Sequence, residues 1–138
     1  KAKSWDQWAM YRGFFIIKTE KCNYLYTHLH AKDESEARQK QLEEIKTLTE
    51  EDQNRPWVIV ADLNIDRKND EYKNIEGYTD VIQEGKKENV VICQEGEEKE
   101  SIDYILTQKD SSITFKEVKV ELDLALSDHA AIIATYKS

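Results

Sequence analysis

Short apolar runs rich in β-branched and aromatic residues recur along the chain, and only one segment between them follows a helical period. Such runs predict strands at residues 13–19, 23–27, 57–61, 101–107, 112–122 and 130–136. Residues 13–19 and 23–27 flank a turn at 20–23, which predicts a β-hairpin. Residues 57–61 are apolar throughout, as is typical of a buried strand. Residues 112–122 alternate in polarity, which predicts a two-faced strand near a sheet edge.

The segment with helical period begins where Asp33 or Ser35 can cap a helix, and it ends before Pro56. A narrow apolar stripe runs between charged flanks that include Arg38, and its members are Ala37, Gln41, Leu42, Ile45 and Leu48. This pattern predicts an amphipathic helix packed on a sheet. Because it is the one clear helix, we expect the other face of the sheet to lack cover in this chain.

The remaining segments are polar. We expect a loop or a short helix at residues 66–78, and charged loops that contain glycine at 83–89 and 94–100. The predicted fold class is therefore α/β, with a mostly antiparallel sheet and one main helix. The chain opens without Met and enters a strand almost at once, so we expect residues 1–138 to form a single partial domain.

Composition limits the classes of function. Of the 138 residues 39% are hydrophobic, which argues against disorder although 35% are charged. The net charge of −8 provides no basic field to attract nucleic acid, so a nucleic-acid partner is possible but not favoured. No apolar run approaches the roughly 20 residues of a membrane span. Residues 1–11 lack the apolar core of a signal peptide, and the sequence does not indicate the cellular compartment. Nothing in the spacing of Cys22 and Cys93 predicts a disulfide, so free thiols are favoured.

Polar residues capable of chemistry stand where the predicted strands begin or end. They occur in four short groups, at residues 27–29, 62–64, 102–104 and 127–129. The groups supply two imidazoles, three carboxylates and one carboxamide, from His28, Asp62, Asn64, Asp103, Asp128 and His129. At one rim of a sheet, these side chains suit hydrolysis of a phosphate ester with a divalent metal.

Each group also has an ordinary structural interpretation. His28 alone could be a strand histidine that bonds to backbone, and Asp62 with Asn64 could form an Asx turn that closes a strand. Asp128 could cap a turn. Asp103 is harder to explain in this way, because a carboxylate inside an apolar run needs a partner.

Taken in order, the groups resemble the endonuclease/exonuclease/phosphatase superfamily. The similar stretches are 12–15, 27–31 and 36–42, together with 58–64, which resembles that family's "GDxN" strand end, and 127–132, which resembles its "SDH" motif. Within the superfamily the chain looks most like neutral and bacterial sphingomyelinases. The resemblance corresponds to the C-terminal half of the family's domain and implies half of a four-layer α/β/β/α sandwich.

The resemblance implies a role for the residues that end the second and third predicted strands. Asp62 would orient or deprotonate the attacking water. Asn64 would place that water and a phosphate oxygen. His28 would donate to a phosphate oxygen as negative charge grows in the transition state.

For the remaining candidates, the resemblance implies that His129 acts in general acid/base catalysis or transition-state stabilisation, held by Asp103. Asp128 and Asp62 would hold Mg²⁺ or another divalent cation. The family's metal-binding Glu and an active-site Asn come from its N-terminal half, which would lie upstream of Lys1. The isolated chain is therefore expected to be inactive or nearly so.

Four positions depart from the family pattern without removing a candidate group. Ala61 replaces a Gly, Arg12 replaces a Lys, His30 replaces a common Gln, and Ser101 stands where Arg is often found two residues before Asp103. The implied function is a Mg²⁺-dependent phosphodiesterase, with sphingomyelin or a related phospholipid favoured. A deoxyribonuclease-like or abasic-site endonuclease is the alternative among enzymes. A non-catalytic fragment or binding module that needs a partner half is the alternative from another class.

Overall fold

The computed structural model describes residues 13–31, 33–86 and 90–137. The strands of this part are β1 (Phe14–Lys18), β2 (Asn23–His28), β3 (Trp57–Asp62), β4 (Tyr78–Asp80), β5 (Cys93–Glu95), β6 (Glu98–Glu100), β7 (Asp103–Gln108), β8 (Phe115–Glu121) and β9 (Ala131–Tyr136). The helices are α1 (Ser35–Glu51) and α2 (Val81–Lys86), with a 3₁₀ helix at Asp70–Ile75. The predicted α/β class is confirmed. None of the helices in the described ranges is long and apolar enough to cross a membrane.

Within these ranges the main sheet has five strands, in the order β1-β2-β3-β7-β4. The predicted hairpin joins β1 to β2, with Lys18 opposite Asn23. Strands β2 and β3 are parallel, since α1 carries the chain back between them, whereas β3 with β7 and β7 with β4 are antiparallel. The sheet is thus mostly antiparallel, as predicted. Its one parallel pair brings the carboxyl ends of β2 and β3 to the same edge.

Helix α1 covers one face of this sheet with the predicted apolar stripe. Leu42 and Ile45 are buried in a core that they share with β2 and β3. The predicted cap at Asp33 or Ser35 is wrong. Ser35 is already the first helical residue, and the capping residue Glu34 makes no hydrogen bond through its side chain.

The opposite face of the sheet is also covered, which corrects the expectation that it would lack cover. Helix α2 and the β8–β9 ribbon lie over it and form a second core. Val58 and Ile105 contribute from the sheet, Val81 from α2 and Val118 from β8. Among the described residues, most of this cover comes from the part of the chain that begins at residue 81, so no local period in the sequence signals it.

Part of the loop predicted at 83–89 is helical, because α2 extends to Lys86. Gly85 lets α2 approach β8 closely. A Cβ built on Gly85 would lie 2.8 Å from Cγ2 of Val118, closer than carbon atoms normally approach. The absence of a side chain at Gly85 therefore sets the distance between these two elements.

Residues 94–100, which were predicted to form a loop, form most of the β5–β6 hairpin instead. Gly96 adopts the positive φ of 61° that its turn requires. Backbone hydrogen bonds join β5 and the residue before it to residues 128–130. Cys93 lies opposite His129 in this pairing. The hairpin thus fixes the segment that carries the last group of candidate residues.

Both cysteines are free and buried, which confirms the prediction of free thiols. Cys22 ends the turn before β2, where its carbonyl accepts a hydrogen bond of 2.7 Å from the Thr19 hydroxyl. Cys93 begins β5.

Candidate active site

Three candidate side chains stand in one row across neighbouring strands. His28 of β2 is in register with Asp62 of β3, and Asp62 is in register with Asp103 of β7. Adjacent strands lie about 4.8 Å apart, so residues in register on one face are close neighbours. The row forms because β2 and β3 end at the edge of the sheet where the antiparallel β7 begins.

Asp62 lies between the two imidazoles. Its Oδ2 is 3.3 Å from Nε2 of His28 and 4.0 Å from Nε2 of His129. The Asp62 side chain is 15% exposed, whereas that of His28 is 57% exposed. A carboxylate this close to two imidazoles can exchange protons with them. The two rings can also donate hydrogen bonds to a small anion.

Asp103 contacts the other side of the His129 ring. Its Oδ2 is 2.8 Å from Nδ1 of His129. This hydrogen bond fixes the orientation of the ring and leaves Nε2 to face Asp62. The half-buried carboxylate of Asp103 therefore has the partner that the sequence led us to expect.

The charges of this cluster alter both pKa values in the pair. Burial lowers the pKa of His129, but the hydrogen bond to Asp103 and the negative charges of Asp103, Asp62 and Asp128 hold it above its ordinary value. Burial raises the pKa of Asp103, and the charge of Asp62 adds to this effect against the opposing influence of His129. The rise at His129 comes from its acidic neighbours, whereas the rise at Asp103 comes mainly from burial.

Asn64 joins the ends of β2 and β3. It has a φ of 52°, in the left-handed region that Asn tolerates better than most residues. Its backbone N–H donates to Oδ1 of Asp62 at 2.9 Å, and its Nδ2 donates to the carbonyl of Leu29 at 3.0 Å. The Asx turn considered from the sequence is therefore present, and it leaves the carboxamide oxygen of Asn64 for a ligand.

The candidate side chains His28, Asp62, Asn64, Asp128 and His129 line one open cleft of about 640 Å³. The cleft is strongly acidic. Six of its twelve lining residues are carboxylic acids, namely Asp33, Glu34, Asp62, Glu95, Glu100 and Asp128, and no Lys or Arg is among these twelve.

Two groups of three side chains within the described ranges could hold a metal ion, each with ligand atoms within 4.8 Å of one another. One group is Asp62, Asp103 and His129, and the other is Cys93, Asp128 and His129. The predicted metal ligands Asp62 and Asp128 do not fall in one group, although both line the cleft. Mg²⁺ prefers oxygen ligands and needs only one or two carboxylates from the protein. The carboxylates present therefore fit a divalent cation.

A buried guanidinium behind the site was not predicted from the sequence. The side chain of Arg67 is 2% exposed and makes two hydrogen bonds to Asp80, at 2.8 and 3.1 Å. It also donates to the hydroxyl and carbonyl of Ser101, at 2.8 and 3.0 Å, and to the carbonyl of Asp103 at 2.8 Å. Its guanidinium carbon lies 3.9 Å from the ring centroid of Tyr104. Arg67 thus anchors the beginning of β7.

The one sequence signal for this anchor was the departure at Ser101, where the family often has Arg. Arg67 brings a guanidinium to Ser101 from elsewhere in the chain. No local pattern marks Arg67, because its partners follow at distances of 13 to 36 residues.

Arg38 has a similar role on the other side of the site. The sequence placed it on the charged flank of α1, but its side chain is 3% exposed and pairs with Glu71 at 2.7 and 2.8 Å. It also donates to the carbonyls of His30 and Ala31. Arg38 therefore holds the loop that follows His28.

No family model matches the chain by sequence, and no curated protein matches it either. Solved structures do match. D. rerio TDP2 complexed with a single-strand DNA product is 20% identical, with a TM-score of 0.75, and the match covers 100% of this chain and 66% of that one. The mannosyl-6-phosphatase Bt3783 of Bacteroides thetaiotaomicron is 17% identical, with a TM-score of 0.63 and coverage of 92% and 56%. An endonuclease/exonuclease/phosphatase family protein of the same organism is 15% identical, with a TM-score of 0.63 and coverage of 91% and 54%.

At these identities the likeness establishes the fold. The chain shares the fold of these three structures, one of which is an endonuclease/exonuclease/phosphatase family protein, and this fold is the one that the motif resemblance implies. The finer resemblance to sphingomyelinases stays a prediction. The chain spans less than two thirds of the length of each of these three structures.

Proposed function

We propose that this chain supplies the phosphate-binding side of a metal-dependent phosphodiester hydrolase. The observation that carries the proposal is the position of Asp62, with the imidazoles of His28 and His129 3.3 and 4.0 Å from its Oδ2 and Asp103 behind the second ring. Phosphodiester hydrolysis requires a base for water and donors for the phosphate oxygens, and this arrangement offers both.

Within this proposal Asp62 orients the attacking water and accepts its proton. His28, which is exposed at the rim, donates to a phosphate oxygen. His129 donates its Nε2 proton as charge develops, and its raised pKa favours the protonated form that this role needs. Asp103 holds the ring of His129 and stabilises the imidazolium. Asn64 directs its carboxamide oxygen to water or phosphate.

We propose Asp62 and Asp128 as ligands of Mg²⁺ in the cleft, because they supply the carboxylate oxygens that this ion prefers. The bound cation would neutralise charge on the phosphate and its leaving oxygen.

For the substrate we favour a phospholipid with a cationic head group, as in sphingomyelin. A cleft with six acids among its twelve lining residues repels a polyanion and attracts a positively charged substituent. A single phosphate that carries a cationic choline group suits the negative electrostatic potential of this cleft better than a nucleic-acid backbone does. DNA is the second candidate, since a structure with this fold, that of D. rerio TDP2, is complexed with a single-strand DNA product.

The two substrates are distinguished by assays of the complete domain in Mg²⁺ on sphingomyelin vesicles and on plasmid and single-stranded DNA. We expect hydrolysis of the lipid and loss of that activity in Asp62→Asn. The matched control is Asp110→Asn, the same chemical change in an exposed turn away from the cleft. Cleavage of DNA with untouched lipid would reverse the choice of substrate. Equal rates in Asp62→Asn and in the parent would refute the site.

We further propose that residues 1–138 form part of a larger domain, as the resemblance to the family implies. A metal-binding Glu would then come from outside this chain. In this case the isolated chain hydrolyses neither substrate, and activity returns when the remaining half is supplied. Hydrolysis by the isolated chain would disprove the partial domain. A complete domain inactive on both substrates would favour a non-catalytic binding module.

A further inference from the structure

Cys93 lies in the wall of the acidic cleft and has no role in the hydrolysis proposed above. Its backbone is paired with His129, and the bonds between β5 and residues 128–130 fix that pairing. The thiol of Cys93, a carboxylate oxygen of Asp128 and a ring nitrogen of His129 lie within 4.8 Å of one another. The fold therefore brings a sulfur, an oxygen and a nitrogen ligand together at one point in the cleft.

This set of ligands differs in chemistry from a magnesium site. Thiolate and imidazole select Zn²⁺ and related soft metals, whereas Mg²⁺ prefers oxygen alone. Burial raises the pKa of Cys93 to about 11, and nearby carboxylates, Asp128 foremost, add to the effect. A metal that binds sulfur displaces the thiol proton into solvent.

The hydrogen bond between Asp103 and His129 prepares the ring for such a metal. Because Nδ1 of His129 is engaged by Asp103 at 2.8 Å, Nε2 is the nitrogen left to act as a ligand. A carboxylate that holds the far nitrogen of a metal-binding histidine is the usual outer partner in zinc sites. The same ring also faces Asp62, with 4.0 Å between Nε2 and Oδ2.

We propose that Cys93, Asp128 and His129 form a second metal site, which shares Asp128 with the proposed Mg²⁺ site, binds Zn²⁺ with water as a fourth ligand and inhibits the enzyme by engaging His129. Binding forms bonds from the metal to the sulfur of Cys93 and to Nε2 of His129, and the thiol proton and the Nε2 proton of a protonated ring leave to solvent. The inhibitory consequence rests on the function proposed above for His129. The binding site itself does not, because it depends only on the three ligands.

Binding is tested on this chain with Cd²⁺ as the probe, because a cadmium–thiolate bond produces a charge-transfer band in the ultraviolet. The sequence contains only two cysteines, so Cys22→Ser leaves Cys93 as the sole thiol. We expect one equivalent of Cd²⁺ to produce the band in the parent and in Cys22→Ser, and no band in Cys93→Ser. Absence of the band in Cys22→Ser, or its persistence in Cys93→Ser, would overturn the site. Circular dichroism checks that each variant is folded. If Cys93→Ser does not fold, the presence or absence of the band in Cys22→Ser decides whether Cys93 binds the metal.

The other two ligands have their own test. Asp128→Asn and His129→Gln should each weaken binding of Cd²⁺ at least about tenfold, since even an outer partner of a metal site costs about tenfold or more. Asp110→Asn, in an exposed turn, should bind as the parent does. Unchanged affinity in both Asp128→Asn and His129→Gln would show that Cys93 binds the metal without them, contrary to the proposal.

Inhibition is measured on the complete domain in excess Mg²⁺, with each variant compared with its own rate without zinc. We expect Cys93→Ser to require at least about tenfold more Zn²⁺ for half inhibition than Cys22→Ser. Equal inhibition of the two variants would refute the inhibitory role. If Cd²⁺ binds as expected but no variant hydrolyses a phosphodiester, the site stands and the proposed function fails.

Discussion

Replacement of Arg67 by Met should cost this fold a large part of its stability. The change leaves Asp80, which is 8% exposed, with a negative charge and without its cation. Removal of one partner of a buried ion pair costs about 3–5 kcal/mol. The hydroxyl of Tyr72 and the backbone N–H of Gln83 still donate to Asp80, at 3.2 and 3.3 Å, so we expect the lower end, about 3 kcal/mol. With a urea m-value of about 2 kcal/mol per molar, the unfolding midpoint should fall by about 1.5 M.

The measurement is equilibrium unfolding of the chain in urea, followed by circular dichroism. Arg55→Met is the matched control, because Arg55 is exposed and makes one hydrogen bond of 3.1 Å, to the Glu20 carbonyl, and it should change stability by less than about 0.5 kcal/mol. The double variant Arg67→Met/Asp80→Leu should recover about 1–2 kcal/mol, since no unpaired charge is then buried. A loss below about 1 kcal/mol in Arg67→Met, or a double variant less stable than the single one, would refute the reasoning.

Three further outcomes are expected. In the complete domain Asp62→Ala and His129→Ala should each lower turnover by about a thousandfold or more with the fold intact, and activity within tenfold of the parent would exclude the assigned role. NMR titration of the isolated chain without metal should give His129 a pKa above 6.5. The contribution of His129 to stability is then present below about pH 6.5 and is lost as the pH rises through the raised pKa. This contribution should be absent in Asp103→Asn. A pKa at or below 6.5 would contradict the contact. Gly85→Ala should destabilise the chain by about 1–3 kcal/mol through its clash with Val118, and an unchanged melting temperature would show that α2 can move away.

Features set by local pattern could be predicted from the sequence. The turn at 20–23 and the stripe of α1 gave the hairpin and the main helix, because each depends on residues close in the chain. The candidate side chains could be chosen because they end or begin strands, and the ends of neighbouring strands meet at one edge of a sheet. The distances that make Asp62 central depend on register, which no strand specifies alone.

Features that depend on distant partners could not be predicted. The second core forms because α2 and β8 pack over the sheet, and the sequence of neither element indicates which part of the chain it contacts. Arg67 and Arg38 look like ordinary surface cations in the sequence, and only their buried acidic partners show otherwise. Residues 94–100 look like a loop because their charges suit solvent, yet exposed hairpin strands tolerate the same charges.

The alignment of His28, Asp62 and Asp103 in one row has a consequence for how such a chain can change in length. Their spacing is set by the ladder of backbone bonds and not by the connecting segments. Insertions between residues 31 and 56, or between 66 and 100, can therefore lengthen the molecule without separating the three groups. Deletion of one residue inside β2, β3 or β7 would turn the side chain at its end to the other side of the sheet. Natural variants of this architecture should accordingly differ in the length of their loops and hardly ever in the length of these three strands.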